Sequence, residues 1–339
     1  MSGVSVMSEL GDPSALALFW AGVIAVSIFV YVILDGFDLG VGILYGMQRD
    51  PKLRAEMMAS ISPVWDGNET WLVVVGASLF AAFPVVYAVF LSAFYLPVLL
   101  LLFGLIFRGV AFEYRFRGGP VWLWDAGFWI GSTVVAFVQG AAVGALMRGL
   151  PVHDRQFAGG SFDWLRPLPV LCGLGLVAGY ALLGAGWLVL KANDRLRDWA
   201  YSMLPKIIYV VVPILILCAV GAWLQIALAA TPLGRRPWAL VFPVICVLAI
   251  FGVFRGAAAR RDAQPFAMTV LFFAAAFATL ASMFWPYMIP YTITVGNAAA
   301  PEASLSFLFW GAGIFALPVV VIYTCVVYWV FRGKHIIAE

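Results

Sequence analysis

The chain has 339 residues, of which 64% are hydrophobic and only 11% charged, with a net charge of +3. Soluble domains carry roughly 25% charged residues, so this composition excludes a water-soluble globular protein and predicts an integral membrane protein. The small positive balance is accounted for by loop residues and is no nucleic-acid signal.

Taken in chain order, the segment MSGVSVMSELGDPSALALFW has no Lys or Arg before the first apolar run. It lacks the basic start of a signal peptide, and the first helix is expected to stay in the mature protein. Apolar runs near ~20 residues read as membrane-spanning helices. Nine are predicted, at about 15–45, 55–82, 84–110, 121–147, 166–190, 203–229, 237–255, 266–288 and 304–331. No polar stretch is long enough for a separate soluble domain, so residues 1–339 read as one transmembrane unit.

The loops orient the chain. With nine spans, the odd-numbered loops and the C-terminus share a side that holds 15 basic residues, among them Arg49, Arg54, Arg115, Lys191, Arg197, Arg260 and Lys334. The other side holds five: Arg148, Arg155, Arg166, Arg235 and Arg236. The positive-inside bias places the odd loops and the C-terminus in the cytoplasm and the N-terminus, with Glu9 and Asp12, outside.

Two stretches break the apolar pattern. Asp35 and Asp38 lie in Leu34-Asp35-Gly36-Phe37-Asp38-Leu39-Gly40, and Asp66 and Glu69 lie in Trp65-Asp66-Gly67-Asn68-Glu69-Thr70-Trp71. A carboxylate in a span costs several kcal/mol unless paired, hydrated or protonated, and the usual uses of such groups are proton or ion movement. Each pair is three residues apart, which places its members near one face of a helix. Arg108 ends the third span on the same side. The expectation is a gathering of carboxylates and one guanidinium in the cytoplasmic half of one helix bundle.

Metal chemistry has little to work with. His153 lies in an outer loop and His335 in the C-terminal tail, whereas membrane haem and copper centres are typically held by His on helices. Cys172, Cys218, Cys246 and Cys325 have no metal-ligand spacing and read as small apolar packing residues. No Walker loop or dinucleotide fingerprint is present.

At these residues the chain resembles the second subunit of cytochrome bd-type quinol oxidases. The resemblance rests on Leu34–Gly42 and Trp65–Trp71, and continues through Leu79-Phe80-Ala81-Ala82-Phe83-Pro84-Val85-Val86-Tyr87 and Phe107-Arg108-Gly109-Val110-Ala111-Phe112-Glu113-Tyr114-Arg115. It extends to Phe284-Trp285-Pro286-Tyr287-Met288-Ile289-Pro290 and Tyr323-Thr324-Cys325-Val326-Val327-Tyr328-Trp329. The short loop after the sixth span looks closest to the cyanide-insensitive branch. The resemblance implies two four-helix bundles plus one extra helix, the first in residues 1–150 and the second in 160–339. It implies a haem-bearing subunit I as partner, carrying the b- and d-type haems and the quinol site. Quinol and oxygen would be substrates of the complex, in the bacterial inner membrane and its lipid. The family also allows a small accessory subunit and a bound quinone.

Under that resemblance Asp66 is the leading proton-relay residue and Glu69 its extension. Asp35 and Asp38 form the inner mouth of the route or pair with Arg108 to lock helices. Arg108 neutralises the cluster or snorkels to headgroups. Trp65, Asn68 and Trp71 line a channel or a helix interface. Two other readings remain open: a proton-coupled secondary transporter, and a structural scaffold whose carboxylates serve only docking.

Overall fold

The computed structural model describes residues 12–115, 117–229 and 236–334; Glu9, Arg235 and His335 fall outside these. Among the described residues, eight helices are long and apolar enough to cross a membrane. The chain runs α1 Ala15–Tyr45, α2 Pro51–Ile61, α3 Trp65–Ala82, α4 Pro84–Ala93, α5 Tyr95–Tyr114, α6 Val121–Arg148, α7 Pro167–Lys191, α8 Asp194–Ala229, α9 Val241–Ala258 and α10 Ala263–Phe284. A short α11 Val295–Ala298 precedes α12 Glu302–Leu308, which passes through a π-helical turn at Phe309–Gly313 into α13 Ile314–Val330. Two small antiparallel hairpins, Val152–His153 with Gln156–Phe157 and Tyr287–Ile289 with Ile293–Thr294, fold the loops at the end opposite the basic one.

Three departures from the expected spans have local causes. The predicted second span, 55–82, is two helices. Pro63, without an N–H, sits in the turn between α2 and α3, and Asp50 opens α2 by accepting the Lys52 N–H at 3.0 Å, with Pro51 in the first turn. The predicted third span, 84–110, is also two. Phe83 precedes a proline and leaves the helical region (φ −137°, ψ 61°). The break at Phe94 puts Pro97 in the first turn of α5, where no N–H is needed. α8 starts at Asp194, nine residues before the expected 203, because its first turns are charged: hydropathy marks the apolar part of a helix and misses a polar extension.

The centre of the bundle is α1 against α7, with α3 and α6 also on α1, and α8 and α10 also on α7. The α1–α7 crossing is backbone on backbone. A Cβ on Gly40 would stand 1.8 Å from the Tyr180 carbonyl oxygen, and Gly184 faces Gly40 in return. Beside the crossing, fully buried Phe37 stacks on Trp187 with ring centroids 4.0 Å apart. One apolar cluster runs through α1, α6, α7, α8, α9 and α10, and so joins both halves of the chain.

Candidate functional site

The site is built on α1, α3 and α5. Asp35 and Asp38 lie ten and seven residues before the end of α1, roughly 15 and 10 Å along its axis from the basic end. Both are fully buried. Arg108, near the end of α5, is fully buried as well. One of its terminal nitrogens, Nη1, donates to Asp35 Oδ1 at 2.9 Å and to Glu69 Oε1 at 2.8 Å. The other, Nη2, lies 3.8 Å from Asp38 Oδ2, close enough for attraction but beyond hydrogen-bond length.

Glu69 reaches this cluster from the second turn of α3, with 23% of its side chain exposed against 0% for Arg108. It is the member of the cluster that opens to the surface. Asp66, three residues earlier, is exposed and outside the cluster. Asp66, expected as the leading relay residue, lies on the surface, and Glu69, expected as its extension, takes the inner position. The two positions differ by about 60° around the helix, enough to put one on the bundle's surface and the other against its core.

Asn68, 1% exposed, ties the site to the far end of the chain. Its amide donates to Asp38 Oδ2 at 2.7 Å and to the Leu34 carbonyl at 3.2 Å, and its carbonyl accepts from the Tyr328 hydroxyl of α13 at 2.9 Å. Trp71 likewise donates to Thr324 Oγ1 of α13 at 3.3 Å. Trp65 stacks on Phe112 of α5, centroids 5.2 Å apart. Asn68 and Trp71 are thus helix-joining residues, and Trp65 closes the α3–α5 seam.

Ionised together, three carboxylates and one guanidinium leave the pocket two negative charges in excess. Asp35 Oδ2, Asp38 Oδ1, Arg108 Nε and Arg108 Nη2 have no hydrogen-bond partner among the described residues. Buried charge is tolerated only when paired, hydrogen-bonded or neutralised. The chemistry open to this arrangement is therefore gain and loss of protons by carboxyl groups around a fixed cation.

Two neighbouring networks were not legible in the sequence. One turn from Asp35, away from the basic end, the Tyr31 hydroxyl accepts from Gln139 at 2.7 Å, and the Tyr180 hydroxyl donates to Gln139 Oε1 at 2.9 Å. At the basic end, Asp125 of α6 accepts from Arg54 at 3.0 Å, from Arg115 at 2.7 Å and from the Tyr45 hydroxyl. Arg54 and Arg115 also lie 5.0 and 5.9 Å from the Tyr45 ring. No motif marks these residues; only the packing of α1, α2, α5 and α6 brings them together.

Among the described residues no group of three or more His, Cys, Asp or Glu could hold a metal ion. His153 is exposed and pairs with Asp154 at 3.3 Å. No histidine lies in the described membrane-spanning helices.

A family model described as cytochrome bd terminal oxidase subunit II matches residues 16–331. A probable cytochrome oxidase subunit 2 of Haemophilus influenzae is 30% identical over 335 residues, covering 88% of this chain and 86% of that protein. Subunit 2 of the cytochrome bd-I ubiquinol oxidase of Escherichia coli K12 is 28% identical over 368 residues, covering 95% and 96%. The fold is shared with a chain of the bd oxidase of Geobacillus thermodenitrificans, with TM-score 0.77, 16% identity, and 95% and 100% of the two chains covered. The chain belongs to the cytochrome bd terminal oxidase subunit II family and is a multi-pass membrane subunit of a quinol oxidase of the bacterial inner membrane.

Proposed function

We propose that this chain is the haem-free subunit of the oxidase, that it pairs with a haem-bearing subunit I, and that it helps conduct cytoplasmic protons to the oxygen-reducing site. The observation that carries the reading is Glu69: a partly exposed carboxylate bonded to the same guanidinium as fully buried Asp35. Such a pair links a surface to a buried acid through one cation, and Asp38 lies next to it. In this reading the basic end faces the cytoplasm, following the charge bias, and Asp66 collects protons at the surface one turn before Glu69. The b- and d-type haems sit in the partner, and quinol and oxygen are substrates of the complex.

Family membership leaves the transporter reading without support. The scaffold reading keeps one: Arg108 and Asn68 join four helices, α1, α3, α5 and α13, so the polar residues also hold the bundle together.

The test has two stages. Purification through a C-terminal tag, followed by a reduced-minus-oxidised visible spectrum, should show haem bands from a co-purifying partner together with quinol-dependent oxygen uptake. A haem-free chain purified from membranes that contain the partner contradicts the pairing. In the assembled complex, Glu69→Gln and Asp66→Asn should keep haem content while slowing turnover, Glu69→Gln more strongly. Unchanged turnover in both leaves the scaffold reading.

A further inference from the structure

At the end opposite the basic one, a second polar site lies between helix ends. A cavity of about 430 Å³ is lined by Arg148, Asp163, Arg166, Leu150, Pro290 and Tyr291, among others. Arg148 is the last residue of α6, and Arg166 immediately precedes α7. Both residues thus stand at the ends of two helices long and apolar enough to cross a membrane.

The two arginines are not equivalent. Arg166 places Nε and Nη2 on one oxygen of Asp163, at 3.0 and 2.8 Å. The other oxygen of Asp163 accepts the Gly160 N–H at 2.9 Å. The Gly160 N–H and the Arg166 guanidinium hold the Asp163 carboxyl below its usual range, so it stays ionised near neutral pH. Arg148 has no hydrogen bond or ion pair with any described residue, although it lines the same cavity. Two guanidiniums and one carboxylate leave a net charge of +1 facing an open cavity.

The rest of the lining is mainly apolar, with Leu150, Pro290 and the body of Tyr291 beside Thr292, whose hydroxyl donates to the Ile289 carbonyl at 3.3 Å. On the loop beside the arginines, Phe162 and Leu165 are 66% and 44% exposed. Large apolar side chains exposed next to an unpaired arginine at a helix end suit acyl chains and a headgroup better than bulk water.

We propose that this cavity is a lipid site that seats the phosphodiester of an anionic membrane phospholipid, with Arg148 as its principal donor and Arg166 as the second. The planar guanidinium matches phosphate oxygens in two-bond geometry. Asp163 has the role of holding Arg166 in place while leaving its remaining N–H groups free.

The test uses the assembled complex. After delipidation it is reconstituted separately with phosphatidylglycerol and with phosphatidylcholine, and retained lipid is read by native mass spectrometry. Phosphatidylglycerol should be retained preferentially, and Arg148→Gln should lower that retention about tenfold, the scale of one charge-assisted hydrogen bond. Arg148→Lys should recover part of it. Arg148 sits at a partly exposed helix end, so the variants should assemble, and haem content checks this. Equal retention by wild type and Arg148→Gln, or equal retention of the two lipids, overturns the proposal. Displacement of the lipid by millimolar inorganic phosphate also overturns it, assigning the cavity to a free anion.

Discussion

Arg108 is the residue on which the site depends. Removing one partner of a buried ion pair costs about 3–5 kcal/mol, because the remaining charges stay buried without compensation. Arg108→Gln strands Asp35, Asp38 and Glu69 together, so the yield of assembled, haem-containing complex should collapse. Arg108→Lys keeps the charge but loses the simultaneous reach to Asp35 and Glu69 and should assemble at reduced Tm. Near-normal yield for Arg108→Gln would show that the carboxylates are neutral without it. Much of this chemistry was visible in the sequence, because acids within apolar runs are costly and therefore conspicuous. The phase of α3 was not visible. Spacing places Asp66 and Glu69 near one face, but only the packing of α1 and α5 decides which of them meets Arg108. The partners Tyr328 and Thr324 lie more than 250 residues away from Asn68 and Trp71 in the chain, beyond the reach of any local pattern.

At the scale of elements, glycine contact and loop clamps set the geometry. Gly40→Val requires α1 and α7 to separate, since the obstacle is backbone. Overpacking of this kind costs typically 1–3 kcal/mol or more, and a clear drop in Tm of the solubilised complex is expected. Gly22→Ala, on the same helix with nothing within 4 Å of the added carbon, should leave Tm unchanged or slightly raised. A second clamp joins α8, the α9–α10 loop and the segment after α13: Asp262 accepts from Tyr201 at 2.8 Å and Lys334 at 2.9 Å, with Arg197 at 3.5 Å. Burial raises the Asp262 carboxyl, but the bonds from Lys334 and Tyr201 and the nearby charges outweigh it and hold the carboxyl below its usual range. A depressed folded pKa stabilises above the unfolded value, near 3.9, and that contribution is lost as pH falls through the folded value. Asp262→Asn should therefore lower Tm at pH 7, with the difference from wild type shrinking below about pH 4. A difference that grows on acidification would contradict the assignment. Hydropathy gave α1 and α6 almost to the residue, while the breaks near Pro63, Phe83 and Phe94 escaped it because the flanking residues stay apolar across them.

Across the whole molecule, the polar residues follow a gradient of exposure through an apolar bundle. Asp66 is exposed, Glu69 half-buried, and Asp35, Asp38 and Arg108 sealed. Tyr31, Gln139 and Tyr180 follow one turn further from the basic end. Family was legible from short motifs that recur through the chain. The cluster on Asp125 and the cavity beside Arg148 were not, since both draw on residues that are ordinary in sequence and meet only through helix ends. In the proposed function the carboxylates around Arg108 carry protons rather than merely hold helices together. The most direct measurement is proton uptake during quinol oxidation by the assembled complex in proteoliposomes, comparing wild type with Glu69→Gln, whose amide keeps the shape and one acceptor for Arg108. With haem content unchanged, uptake and oxygen consumption should fall together by about tenfold or more, the scale of losing a positioned acid–base group. Uptake and turnover at wild-type levels would contradict the relay and leave these residues a structural role alone.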